Sequence, residues 1–401
     1  MGFFKKKGYL PFSEPEIGNE EFEAVKRVFK RNWFTSGPEV KEFEKEFSSL
    51  VNSKFSVAVN SATAALHISL KAIGIGDGDD VISTPFTFVS TINTIVEAGA
   101  FPILVDINEK DYNISVEKIE EIIEKNYHKG ERYPINKKTG NKLKAIVPIH
   151  YAGQPSDIDE INKIAKRYNL KVIEDAAHAI GSTYKSKKIG DSKNLVAFSF
   201  YSNKNITTGG EGGIVSSNST EYEELLRLYS LHGIDKEAYS RLRQEGLPFY
   251  DVKLLGFKYN MTDIAAAIGR EQLKKIEEIN AKRNLIASFY KKHLSEIREI
   301  TIKPIGKDKK SCFHLFPIEI TNFKRDELIK KLLEKNIQTS VHFIPVHFFT
   351  YYKENFPYTE GDFPVAESVF KRILSLPIFP SMDEDDVRII ASAIKDIILR
   401  K

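Results

Sequence analysis

The sequence has a single cysteine, Cys312, among 401 residues. One thiol excludes an intrachain disulfide and a cysteine-ligated iron–sulfur cluster, and it agrees with a reducing cytosol. Net charge is also scarce, at +4. No arginine cluster or aromatic-interleaved basic patch marks a nucleic-acid surface. No apolar run approaches the roughly twenty residues that a membrane span needs. The opening stretch MGFFKKKGYLPF lacks a long apolar core after its charges, which argues against a secretory signal, and Lys6 stands where N-myristoylation needs Ser or Thr. The phosphate-loop pattern G-x-x-x-x-G-K-[ST] does not occur. Gly74-Ile75-Gly76-Asp77-Gly78 misses the G-x-G-x-x-G spacing and follows a helical pattern, so it reads as a loop. His342 and His347 flank a proline turn and do not match a zinc helix pair, and no metal is expected. Internal repeats and low-complexity segments are absent too. The expectation is a cytoplasmic protein without nucleic-acid or membrane partners.

What is present is an ordinary globular composition, 41% hydrophobic and 28% charged, with length enough for two or three units and a large core. Residues Asn19–Asn32 place Phe22, Val25, Val28 and Phe29 at helical spacing. Trp33-Phe34-Thr35-Ser36-Gly37-Pro38 ends that helix and starts the next, whose buried face is Val40, Phe43, Phe47 and Leu50. A strand at Phe55–Val59 runs into Asn60-Ser61-Ala62-Thr63, which opens a helix. Further strands are predicted up to Thr84, at Pro102–Asp106 and at Lys144–His150. The strand–helix alternation predicts a mainly parallel sheet covered on both faces. The polar stretch from Asn126 to Lys142 has no period and reads as an exposed insertion, with a hairpin turn at Thr139-Gly140. His150 reads as a structural hydrogen-bonding group. A helix is predicted at Glu221–His232, an irregular stretch to Leu255, and a long helix from Asp263 through Ala281. From about Asn284 the pattern becomes a smaller α/β unit. It has a strand over Phe313–Ile320 and helices at Arg325–Lys335, Val365–Leu374 and Asp383–Leu399. The domains expected are therefore 1–283 and 284–401, with the N-terminal helices free to pack on the smaller one.

Two segments carry chemistry. In LVAFSFYSNKNITTGGEGGIVSS, residues 195–217, a buried strand leads to a loop bearing Lys204, followed by four glycines around Glu211. Glycine permits positive φ and close backbone approach. A lysine between such a turn and a buried strand is partly desolvated, which favours the neutral, nucleophilic amine. Taken alone, the segment reads more readily as a glycine-rich hairpin with a solvated lysine, and a second segment upstream overturns that reading. The second segment, KVIEDAAHAIG at 171–181, places Asp175 at the carboxyl end of a strand, where α/β proteins bind ligands. A carboxylate there with a lysine on a neighbouring loop suits a pyridoxal 5'-phosphate site. The lysine forms the Schiff base, and the aspartate keeps the pyridine nitrogen protonated. Small residues opening the helix at Ala62 and Thr63 leave backbone N–H groups that serve either as an ordinary cap or as a phosphate site.

EDAAHAIG followed by SFYSNKNITTGGEGG resembles the DegT/DnrJ/StrS family of pyridoxal-phosphate sugar aminotransferases, from about Leu10 to the C-terminus. The resemblance implies the aspartate-aminotransferase-like (type I) fold, with a large mainly parallel sheet domain and a smaller C-terminal α/β domain. It implies Lys204 as the catalytic lysine, Ala62, Thr63 and Ser199 at the cofactor phosphate, and Phe88 against the pyridine face. Asp175 would hold the ring nitrogen, and His178 would contact the ring's phenolic oxygen or orient Asp175. Thr35, His342 and His347 would lie on the substrate side. In Gly256–Asp263 the commoner family pattern has asparagine at Lys258 and arginine at Asn260. The family counterpart reaches the neighbouring subunit's cofactor phosphate, so either Lys258 or Asn260 is expected there, in a homodimer with shared sites. The Lys-Tyr-Asn version resembles the branch that aminates UDP-4-keto-pentose. The implied reaction transfers an amino group from glutamate to a nucleotide-linked keto sugar, 4-keto favoured, in amino-sugar or surface-polysaccharide biosynthesis. Two rivals are a dehydratase of the same fold, which replaces the lysine with histidine, and a cofactor-bound regulator without turnover.

Overall fold

Lys171–Asp175 and Leu195–Ser199, the strands that carry the two chemical segments, lie side by side and parallel in the larger sheet. The computed structural model describes residues 8–235 and 250–399. Across that sheet the order is Phe55–Val59, Gly213–Ser217, Leu195–Ser199, Lys171–Asp175, Lys142–Ile146, Asp79–Ser83 and Phe101–Leu104. From Leu195–Ser199 outward to Phe101–Leu104 every pairing is parallel. Gly213–Ser217 runs antiparallel to both of its neighbours. Leu195–Ser199 and Gly213–Ser217 are buried at every residue, as strands covered on both faces must be. One face packs on Ala65, Leu66 and Ile92 from the helices Ala62–Ala72 and Val89–Glu97. The other buries Phe43 and Phe47 of the helix Pro38–Val51 and Ile161 of the helix Ile158–Tyr168.

A second sheet, Ile300–Thr301, Phe316–Ile320 and Ile373–Leu376, is antiparallel and has its own core, with Phe316, Ile318 and Leu376 against Ile390 and Ile394. The helix Asp263–Leu294 joins the two cores. Its first turns bury Ala267 against Ala24 and Val28, and its last turns bury Ile286 and Tyr290 in the smaller core. It therefore runs beyond the predicted end at Ala281, and the expected division at 283/284 falls inside it. No helix of the described residues is long and apolar enough to cross a membrane.

Several elements differ from the sequence pattern for definable reasons. The helix Asn19–Arg31 buries Glu21, Ala24 and Val28, while Phe22 and Phe29 are 69% and 58% exposed. Glu21 can go inside because Lys275 and Gln272 donate to it, so the phenylalanines face outward. The strand predicted from Phe313 begins at Phe316, since Phe313 adopts φ of 46°. The helix Pro364–Arg372 ends early because Ile373 enters the smaller sheet. In the predicted irregular stretch before Leu255, residues 236–249 lie outside the described residues.

The 126–142 insertion forms two short ladders. Tyr127–His128 pairs with Ile135–Asn136, which pairs with Lys142. Fully buried Asp80 anchors them, accepting from Tyr127 Oη at 2.7 Å and from Asn136 and Asn141 Nδ2 at 2.8 Å each.

Candidate active site

A cavity of about 490 Å³ opens at the carboxyl ends of Lys171–Asp175 and Leu195–Ser199, within the size range of small-molecule sites. Asp175, Ser199 and Lys204 line it together with Ala62, Thr63, Phe88, His178 and His342. The sheet register explains the meeting: Ala197 stands opposite Asp175, so Ser199 and the loop bearing Lys204 follow just past the strand end that carries Asp175. The glycine turn behaves as its composition predicts. Gly209 has φ of 93°, and a Cβ on Gly213 would fall 2.3 Å from the Ser61 carbonyl carbon. Only glycine lets the helix N-terminus lie so close to that strand. Ser61 caps the helix by accepting from the Ala64 N–H at 3.1 Å. The N–H groups of Ala62 and Thr63 have no acceptor within the helix itself, the usual state of a first turn.

Charge is concentrated in two groups. Lys204 is desolvated by the cavity wall, which brings its pKa down to about 8, against the opposing pull of Asp175. Near neutrality a usable fraction of its amine is therefore unprotonated. Burial pushes the Asp175 carboxyl up. Four groups work in the other direction: the Thr91 hydroxyl, which donates to Oδ2 at 2.7 Å, the Ala177 N–H, which donates to Oδ1 at 3.1 Å, the Lys204 charge and, least, His150.

Histidines form the opposite wall. His178 is buried, and burial together with the Lys204 charge holds it well below the ordinary histidine value. Its ring stacks on Phe343 with centroids 5.8 Å apart, and its Nδ1 has no partner among the described residues. His342 is pushed down to about 3 by the same causes, and its Nδ1 lies 3.0 Å from Ser375 Oγ. His314 also lines the cavity, 4.3 Å from the His178 ring. Burial and the neighbouring charges keep it neutral as well. The sequence reading missed His314, which it placed inside a strand. No local pattern marks a residue brought to its partner across 136 positions of chain, from 178 to 314. Tyr201 and Asn203, beside Lys204, line the cavity too and were not singled out.

Thr35 and His347 lie outside this cavity, and so do Lys258 and Asn260, which are expected at the neighbouring subunit's site. His347 is fully buried and pairs with Glu367 at 3.1 Å. Thr35 is exposed on the loop before Pro38–Val51. Asn260 Nδ2 donates to Ser36 Oγ at 2.9 Å, so the Thr35 loop and the Gly256–Asp263 segment meet outside this cavity. Lys258 is exposed, and its backbone bridges to Leu231. As expected, His150 is structural, lying 3.0 Å from Glu174 and accepting from the Ser156 N–H.

The donor set matches pyridoxal phosphate: a carboxylate for a protonated ring nitrogen, an amine for the aldehyde, and a helix N-terminus with a serine for the phosphate. Phe88, 60% exposed at the mouth, offers a flat surface to a ring. Among the described residues no cluster could hold a metal ion.

Comparison with known proteins gives the same answer. Residues 15–395 match the model of the DegT/DnrJ/EryC1/StrS aminotransferase family. An uncharacterized protein of Methanocaldococcus jannaschii is 44% identical over 397 residues, 98% of each chain. The spore coat polysaccharide biosynthesis protein SpsC of Bacillus subtilis is 41% identical over 399 residues, again 98% of each. Among solved structures, Helicobacter pylori PseC, an aminotransferase of pseudoaminic acid biosynthesis, superposes with a TM-score of 0.87 at 28% identity. That match covers 98% of this chain and 100% of PseC.

Proposed function

The chain belongs to the DegT/DnrJ/EryC1/StrS family of pyridoxal-phosphate-dependent sugar aminotransferases, and from that premise we propose that it moves an amino group from L-glutamate to a nucleotide-linked keto sugar, with the 4-keto position favoured. The product would serve amino-sugar or surface-polysaccharide biosynthesis, as the names of SpsC and PseC suggest. The observation that carries the reading is Lys204 and Asp175 sharing one cavity at the carboxyl ends of adjacent parallel strands.

Bound pyridoxal phosphate supplies an electron-accepting ring that stores the amine between donor and acceptor. The residues do the rest. Lys204 would anchor the cofactor and, once released, move a proton between the donor carbon and the cofactor, as general base and then general acid. Asp175 holds the proton on the ring nitrogen. Ala62, Thr63 and Ser199 bind the phosphate, Phe88 covers one ring face, and His178 contacts the ring's phenolic oxygen or orients Asp175. His342 lies on the sugar side. We place the working unit in the cytoplasm as a homodimer of two-domain chains, 1–283 and 284–401.

The test is a pulse of glutamate on the cofactor-loaded enzyme. It should convert the visible band to that of the aminated cofactor and release one equivalent of 2-oxoglutarate, after which a keto-sugar nucleotide should restore the band. A panel of 3-keto and 4-keto sugars identifies the acceptor. No band change with glutamate overturns the donor, and restoration by 3-keto sugars alone overturns the 4-keto preference.

A further inference from the structure

Behind Asp175 lies a pair of buried hydroxyls that the roles above leave unused. Thr91 Oγ1 donates to Asp175 Oδ2 at 2.7 Å, and Thr87 Oγ1 stands 2.8 Å from Thr91 Oγ1. Thr91 is fully buried and does not line the cavity, so water does not compete for its hydroxyl, and Thr87, 2% exposed, sits at the cavity wall beside it. An ionised carboxylate only accepts, which commits the single Thr91 proton to Asp175. The Thr91 oxygen is then free to accept from Thr87, whose hydroxyl proton closes the chain. Phe88 sits between them at the start of the helix Val89–Glu97. One turn therefore presents a ring to the cavity and a hydroxyl to the carboxylate beneath it.

We propose that Thr91, backed by Thr87, is a positioning residue that keeps Asp175 ionised and aimed at the cofactor's ring nitrogen; this rests on the placing of Asp175 proposed above. A buried carboxylate loses its hydration, and only donors supplied by the protein can replace that water. Hydrogen bonding to the charged form favours that form. The Ala177 N–H serves Oδ1, and Thr91 alone among side chains serves Oδ2 in the described residues. Without the Thr91 hydroxyl, Asp175 holds the ring nitrogen's proton less firmly. A less electron-poor ring then lets the bond at Lys204 keep its own proton to higher pH.

The experiment compares Thr91→Ser, Thr91→Ala and Thr91→Val with Asp175→Asn, all loaded with pyridoxal phosphate. It reads the pH midpoint of the cofactor's visible band and the cofactor dissociation constant by equilibrium dialysis. Thr91→Ala and Thr91→Val should raise the dissociation constant about tenfold, the size of a hydrogen bond to a charged group. They should also move the midpoint upward by about one pH unit, in the direction of Asp175→Asn. Thr91→Ser should keep both near wild type. If Thr91→Val fails to fold, the alanine and serine variants still differ by one oxygen and decide the matter. Alanine matching serine in both readouts, while Asp175→Asn shifts them, overturns the proposal for Thr91 alone. An unmoved band in Asp175→Asn overturns the placing of Asp175, and this inference falls with it.

Discussion

At the scale of single residues, the reactivity of Lys204 follows from where its amine is kept. A lysine in water stays charged near neutrality, whereas burial lowers Lys204 to about 8 while Asp175 pulls the other way. Apoprotein should therefore capture pyridoxal phosphate at a rate that rises through pH 8 as the amine loses its proton. Removing the opposing charge with Asp175→Asn should shift that midpoint downward. Borohydride reduction of the loaded enzyme should leave the cofactor on the peptide containing Lys204. Label on any other lysine would refute the assignment. Asp175→Asn should also keep the fold but lose at least about a hundredfold in turnover, on the order of 3 kcal/mol of transition-state stabilisation. Near-normal turnover would remove Asp175 from the chemistry.

At the scale of elements, legibility followed range along the chain. Asp175 and Lys204 could be found because strand ends and glycine turns are local patterns, and the parallel pairing of their strands brings both to one cavity. His314 and Thr91 could not, since each earns its place by packing against residues far away in sequence. Phe22 and Phe29 misled for a related reason: helical spacing shows a stripe but not which side of the helix is covered. Polarity marks the 126–142 insertion, but nothing local points to its anchor, Asp80, which lies on the separate strand Asp79–Ser83. Asp80→Asn replaces an acceptor of three donors with a neutral amide of the same size. It should cost about 2 kcal/mol in urea unfolding while turnover stays near wild type, because the hairpin lies off the cavity. Unchanged stability would show that the three contacts contribute nothing net.

At the scale of the whole molecule, the surface suggests that one chain is not the complete enzyme. Phe22, Phe29 and Phe34 are exposed around the first helix, with Phe29 and Phe34 in edge contact at 5.2 Å. Apolar rings grouped on a surface are a usual mark of an interface. The Thr35 loop lies nearby and meets the Gly256–Asp263 segment through Ser36 and Asn260. Lys258 on that segment is exposed and does not line the cavity of its own chain. In a twofold dimer each such segment can serve the partner's site, and a phosphate held by a helix N-terminus gains from an added charge. Lys258→Ala and Lys204→Ala should then each be inactive alone. Mixed in equal amounts under confirmed subunit exchange, they should recover roughly a quarter of the sites, since one pairing in the mixed dimer holds both lysines. An active Lys258→Ala would mark Lys258 as a solvated surface residue. An inactive Lys258→Ala that mixing does not rescue would place Lys258 in the service of its own subunit. Either result ends the shared-site reading for this lysine and moves the same test to Asn260→Ala.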